Sequence, residues 1–494
     1  MIFNSVDFLI FFPLVVCIYF IVPRKLRYIW LLAASYYFYM CWNVKYILLL
    51  FASTLTTWLA GKLVSVAKKT VWKKISVISC IGVNLGILFC FKYFDFFLDA
   101  CNRILSLFHV ELLEKPFDVL LPVGISFYTF QALGYIIDVY RGKIEPESNF
   151  LRYALFVSFF PQLVAGPIER SENLLKQVKD IDKLKLWDYR NVTGGLTLMV
   201  WGLFVKMVIS DRVAILVNTV FDSYYMYGTV ALMVGAIGFA LQIYCDFMGY
   251  SIIATGAARV MGFQLMENFN TPYFSRSVSE FWRRWHISLS TWFRDYVYIP
   301  LGGNRCSKVR KYFNLLVTFG VSGLWHGANW TFAAWGLLNG LFQVLGDFTE
   351  PIRRKIYDKC QVKTESFSFK FGQVLVTFLL IDFSWIFFRA GSVSDAVYYC
   401  KRIFTKWDPW SLFNGEIYTL GLDRFEFNIL IVSVMILFLV SLIRYFRKQT
   451  VEAFLEEQCL WFRWLVILLL IAAVLIFGIY GTKFESSQFI YFQF

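Results

Sequence analysis

The chain has 494 residues, 58% of them hydrophobic and 17% charged, with a mean hydropathy of +0.58. Soluble domains carry about a quarter charged residues, so this balance excludes an ordinary soluble fold. A net charge of +14 raises nucleic-acid binding, but the basic residues fall in short loops between apolar blocks, which is the positive-inside pattern of a membrane protein.

Apolar blocks of spanning length or near it run through the chain at 2–22, 28–42, 45–61, 75–98, 118–140, 150–168, 192–221, 228–262, 313–346, 371–389, 427–443 and 460–481. A span needs about 20 such residues. The first block is expected to remain as a helix, not a cleaved leader, because Asp7 precedes the run and no Lys or Arg opens it. Pro122, Gly124, Pro161, Gly166 and Pro167 predict short or re-entrant pieces within 118–168. Gly323, Gly327 and Gly336 permit a break that makes two shorter helices of 313–346. The fold class is an all-α polytopic integral membrane protein, read as one domain over 1–494. Its signature core is about 118–346, with peripheral helices in 1–117 and 371–481.

Lys and Arg crowd into 23–27, 62–74, 276–311, 351–370 and 444–448. Placing all of these inside is self-consistent when the first helix runs from outside to inside. The outer connections are then 99–117 and 390–426. A basic inner face attracts anionic lipid heads and phosphorylated donors. The cysteines show no CxxC spacing, and Cys17, Cys80, Cys90 and Cys245 read as small core residues.

Ionisable groups inside apolar blocks are costly, so each is a site candidate. His326, within Gly323-Leu324-Trp325-His326-Gly327-Ala328-Asn329-Trp330, is the leading one. An imidazole away from water is held neutral and is ready to act as a general base. On a continuous helix Asn329 would share its face and donate to a developing oxyanion. Against this stands a buried histidine bonded to a neighbouring helix. His286 follows Trp282-Arg283-Arg284-Trp285. Phe281, Trp285, Leu289 and Trp292 then form one stripe of an interfacial helix, with Arg283, Arg284 and Arg294 off it. Such arginines either anchor to the membrane surface or hold donor phosphates. Asp138 (beside Arg141), Asp246 and Asp382 (near Arg389) read as structural ion-pair members, and His109 as a solvated loop residue. No metal is expected, because a catalytic zinc wants three protein ligands.

These stretches resemble the membrane-bound O-acyltransferase family, in its bacterial polysaccharide-acetylating branch. The resemblance rests on Trp282 through His286, on Phe293 through Arg305, and on Gly323 through Gly327. Weaker agreement lies in Leu121 through Tyr128, Ala165 through Arg170, and Phe489 through Phe494. It implies a ring of about 11–12 transmembrane helices, each long enough to cross, with re-entrant and interfacial helices around a central tunnel. It implies that His326 and His286 are catalytic; Trp325, Asn329 and the three arginines are taken beside them as substrate-binding candidates. No bound cofactor is implied; acetyl-CoA is the expected co-substrate. The expected partners are the bilayer, a polysaccharide acceptor and an extracytoplasmic Ser-hydrolase-like protein, with no nucleic acid. The expected location is the bacterial cytoplasmic (inner) membrane. Asn339 stands where the family often carries a further His. D-alanyl transfer to teichoic acid is the rival enzyme reading. A polymer or solute transporter is the rival of another class, although no paired halves are visible.

Overall fold

A computed structural model describes residues 1–110, 112–114, 122–164 and 166–480. Leu121, Ala165, Phe489 through Phe494 and the start of the 118–140 block lie outside these. Among the described residues every regular element is helical. Seven helical stretches among the described residues are long and apolar enough to cross a membrane: Val44–Val66, Thr70–Leu107, Tyr189–Asp222, Thr229–Val260, Phe367–Arg389, Arg424–Arg447 and Leu460–Phe477. The remaining apolar blocks form helices that are shorter or more polar.

The described residues fall into two compact units, 1–199 with 251–266, and 200–250 with 267–480. Two of the three boundaries, 199/200 and 250/251, lie inside helices rather than in linkers, so no composition shift marks them.

The first unit begins with α1 (Val6–Ile21), α2 (Arg27–Met40), α3 (Ile47–Val66) and α4 (Thr70–Leu88). A π-helical turn at Phe89–Tyr93 leads into α5 (Phe94–Leu107), followed by α6 (Ile125–Tyr140), α7 (Phe150–Ser158), α8 (Phe160–Leu163) and α9 (Lys176–Lys179). The Ser5 hydroxyl caps α1 by accepting from Phe8 N–H. Helices α7 and α8 are the short pieces that the prolines predict. Helix α8 and α7 from Tyr153 onward are buried, and their break is held by Gln162, whose amide donates to Gln131 Oε1 at 3.0 Å and to Phe156 O at 2.8 Å. Buried backbone freed from a helix needs such partners. Asp138 pairs with Lys143 at 3.6 Å.

Helix α10 (Tyr189–Leu203) runs through a π-helical segment, Phe204–Ser210, into α11 (Asp211–Asp222), and α12 (Thr229–Val260) follows. Beyond these come α13 (Val278–Arg284), α14 (Ile287–Phe293), α15 (Lys308–His326), α16 (Trp330–Lys359), α17 (Phe367–Arg389), α18 (Val393–Thr405), α19 (Arg424–Arg447), α20 (Val451–Glu456) and α21 (Leu460–Phe477). Leu465, Leu468 and Leu469 of α21 are exposed, as lipid-facing side chains are. The same fact corrects the reading of the cysteines. Cys80 and Cys245 are buried, but Cys17 and Cys90 are exposed. An apolar block in a membrane protein need not be a protein core.

Candidate active site

The site is built in the second unit, from two interruptions of helix. The first falls at His286. The Ser277 hydroxyl caps α13 by accepting from Glu280 N–H. The helix stops at Trp285, and His286 takes a left-handed backbone, φ 41°, before α14 starts. The expected single interfacial helix is therefore two short helices. Phe281, Trp285, Leu289 and Trp292 are all buried, so the stripe is core and not a surface anchor. Asn268 secures the break. Its carbonyl accepts from Ile287 N–H at 2.9 Å, and its side-chain oxygen accepts from the Ser288 hydroxyl at 2.6 Å and lies 3.4 Å from His286 Nδ1. Burial pushes the His286 imidazole down to about 3, so it is uncharged at neutral pH.

The second interruption falls at His326, the last residue of α15. Gly327 is extended there, and Asn329 caps α16 by accepting from Thr331 N–H at 3.1 Å. The expectation that Asn329 shares a helix face with His326 is corrected by this break. The Asn329 amide instead donates to Gly391 O at 3.4 Å. Gly323 and Gly336 bring α15 and α16 together, since a Cβ on either would strike the other helix's backbone, at Phe332 O and Phe319 O respectively.

His326 is 4% exposed and sits in an aromatic box. Trp325, Trp335 and Phe388 present rings at 5.0, 5.1 and 5.4 Å from it. Trp325 also lies 6.2 Å from the His286 ring, so one indole joins the two histidines. Phe388 is the penultimate residue of α17. That places His326 about 27 Å along α15 from Lys308, towards the end that the charge pattern assigns to the outer face.

Below this box lies a cavity of about 1100 Å³, larger than the ~300–1,000 Å³ of ordinary ligand pockets. Arg276, Arg283, Arg294, Lys311, Arg353 and Arg354 line it, against Asp347, Glu350, Asp358 and Glu365. Asp347 pairs with Lys311 at 2.8 Å, and Glu350 with Arg354 at 2.5 Å. Arg284 is not on the lining; it pairs with Glu280 at 2.7 Å. The cavity reaches Ser322, one helical turn or about 6 Å below His326. Neither histidine lines it. Trp282 stands at the inner end, its indole N–H donating to Asn339 Oδ1 at 3.2 Å and its ring 5.6 Å from Trp335. Asn339 in turn donates to Trp335 O at 2.9 Å.

Sequence reasoning passed over Lys206. It is 1% exposed and bonds Asp211 at 2.7 Å and Asp246 at 2.6 Å. A lysine within the apolar block 192–221 was the available signal. Asp382 is buried but does not pair with Arg389, which bonds Asn218 and Asp222. Among the described residues no three His, Cys, Asp or Glu side chains gather as a metal site.

Comparison with known proteins matches residues 144–383 to the membrane-bound O-acyltransferase family model. A Pseudomonas putida protein named probable alginate O-acetylase AlgI is 35% identical over 520 residues, covering all of both chains. The chain belongs to the membrane-bound O-acyltransferase family. It is an acyltransferase embedded in a membrane. The Helicobacter pylori peptidoglycan O-acetyltransferase is 36% identical over 75% of this chain and 72% of its own. The Bacillus subtilis teichoic acid D-alanyltransferase is 27% identical over 58% of this chain and 75% of its own. The family region contains His286, His326 and all of the cavity lining.

Proposed function

We propose that the enzyme moves an acetyl group from a cytoplasmic thioester, acetyl-CoA, towards a polysaccharide outside the bacterial inner membrane. The observation that carries this reading is the basic cavity ending one turn below a buried histidine that lies near the opposite end of the same helix. Arg276, Arg283 and Arg294 suit the phosphates of a nucleotide donor. The thioester arm extends past Trp282 into the aromatic box. The acceptor hydroxyl enters from the outer side, where Asn329 meets Gly391.

His326 takes the hydroxyl proton as that oxygen attacks the thioester carbonyl. The C–S bond breaks, and the proton passes from the imidazolium to the departing thiolate. The products are an ester and free CoA thiol. His286, uncharged and turned by Asn268, positions Trp325 against His326. The aromatic walls keep water from the thioester. The acceptor hydroxyl belongs to a Ser-hydrolase-like partner that passes the acetyl group to the polymer. The full-length match to a protein named as an acetylase favours acetyl over D-alanyl transfer, whose named relative covers less of the chain.

The test uses labelled acetyl-CoA supplied to inverted membrane vesicles containing the partner and polymer. Label is expected on partner or polymer with the wild-type chain, and His326→Ala is expected to reduce transfer at least ~100-fold, the scale of a lost general base, while remaining folded in the membrane. Full transfer by H326A removes His326 from the mechanism. Movement of solute without acylation supports a transporter instead.

A further inference from the structure

A second pocket lies in the first unit and shares no lining residue with the basic cavity. It holds about 440 Å³ and is lined by Phe20, Arg24, Arg27, Lys183, Lys185 and Trp187, with Asp188 at its edge. Arg27 opens α2, so its guanidinium stands at the positive end of a helix dipole. The side chain is deeply buried, at 8% residue exposure. Among the described residues neither its Nε nor its Nη1 has a hydrogen-bond partner. A buried guanidinium with unmet donors is costly unless an anion completes it. The Asp188 carboxylate also lines the pocket, its Oδ1 accepting from Arg190 N–H and Asn191 N–H, but it makes no hydrogen bond to Arg27 Nε or Nη1. Lys183 is held by Asp180 at 2.6 Å. That leaves Arg24, Arg27 and Lys185 as the cations facing the pocket.

We infer that this pocket binds a phosphate group, in the form of an anionic phospholipid headgroup from the inner leaflet. Guanidinium matches phosphate through its fork of donors. The surroundings favour a lipid over free phosphate. Trp187 is 75% exposed and its ring lies 4.7 Å from Phe20, while Leu26, next to Arg27 in the chain, is half exposed. An exposed amphipathic ring on the pocket wall and an exposed leucine preceding its buried arginine are what a headgroup site with adjoining acyl chains presents. The face is the one that the basic loop 23–27 assigns to the cytoplasm.

The test titrates the full-length protein, delipidated in neutral detergent, with short-chain phosphatidylglycerol, phosphatidylcholine of equal chain length, and inorganic phosphate. Binding is read by native mass spectrometry and by thermal shift. Phosphatidylglycerol is expected to bind the wild-type protein at least tenfold more tightly than phosphatidylcholine. R27Q is expected to lose at least about tenfold of that affinity, the worth of a charge-assisted contact, and R27K to recover part of it. Phosphate protecting as well as the lipid, with the same loss in R27Q, keeps the site but makes its ligand soluble. Equal phosphatidylglycerol affinity in wild type and R27Q overturns the site. If R27Q does not fold, the exposed pair R24Q/K185Q decides: unchanged affinity overturns the proposal. H326A binds lipid as the wild type does, so this result stands apart from the acyl-transfer reading.

Discussion

His286 has two separable physical constraints. Its backbone lies in the left-handed region at φ 41°, where asparagine is tolerated better than other side chains carrying a Cβ. His286→Asn should therefore melt close to the wild type in detergent, and His286→Val about 1–2 kcal/mol lower, the cost of a left-handed backbone for an L-residue. The second constraint is protonation. The folded imidazole titrates at about 3, below its ordinary 6.5, so the unfolded chain binds the proton first. The stability tied to this group is whole above about pH 6.5 and falls as pH drops towards 3, by about 2 kcal/mol at pH 5. Wild-type melting temperature should decline from pH 7 to pH 5 more steeply than that of H286N. Parallel pH profiles would show that His286 carries no such linkage. At this scale the sequence exposes the two histidines because histidine is rare and each lies in an apolar setting. It does not expose Trp335, Phe388 or the Lys206 partnership, since these depend on which helices meet.

The α15–α16 hairpin is where element geometry governs chemistry. Gly323 and Gly336 sit at the crossing, and a methyl group on either meets carbonyl oxygen that cannot swing aside. G323A or G336A should cost about 1–3 kcal/mol by overpacking and shift His326 within its box, lowering acyl transfer in vesicles. Gly346 on the same α16 has open space around a Cβ. G346A, whose methyl would stand in the wall of the basic cavity, should raise stability by up to about 1 kcal/mol through helix propensity. Equal effects at all three positions would show that close packing is not what Gly323 and Gly336 provide. The run of glycines in 313–346 makes a break legible in the sequence. Its position is not, because a helix through His326 and Asn329 satisfies the local pattern equally well. The turn at Gly327 is favoured only once Asn329 can cap α16 and reach Gly391. The same limit applies at His286, where the aromatic stripe fits an unbroken helix until Asn268 supplies partners for the turn.

For the whole molecule, seven of the twelve apolar blocks become helices long and apolar enough to cross a membrane among the described residues, because each such span must satisfy its own backbone bonds within the bilayer; the other five are broken, short or more polar. Which face of a span is lipid-facing is less legible, as Cys17 and Cys90 demonstrate. Orientation rests on charge alone and can be tested with cysteines already present. Cys41 ends α2 and Cys360 follows α16, and both are exposed. If the loops 23–27 and 351–370 are cytoplasmic, α2 rises from the inner face and delivers Cys41 outside, while Cys360 stays inside. In spheroplasts treated with a membrane-impermeant maleimide, peptide mass spectrometry should find Cys41 modified and Cys360 modified only after permeabilisation. The reverse pattern would turn the basic cavity outward, away from the compartment that supplies acyl thioesters. His326 would then lie towards the cytoplasmic end of α15, and an outward acetyl transfer through this site would lose its donor.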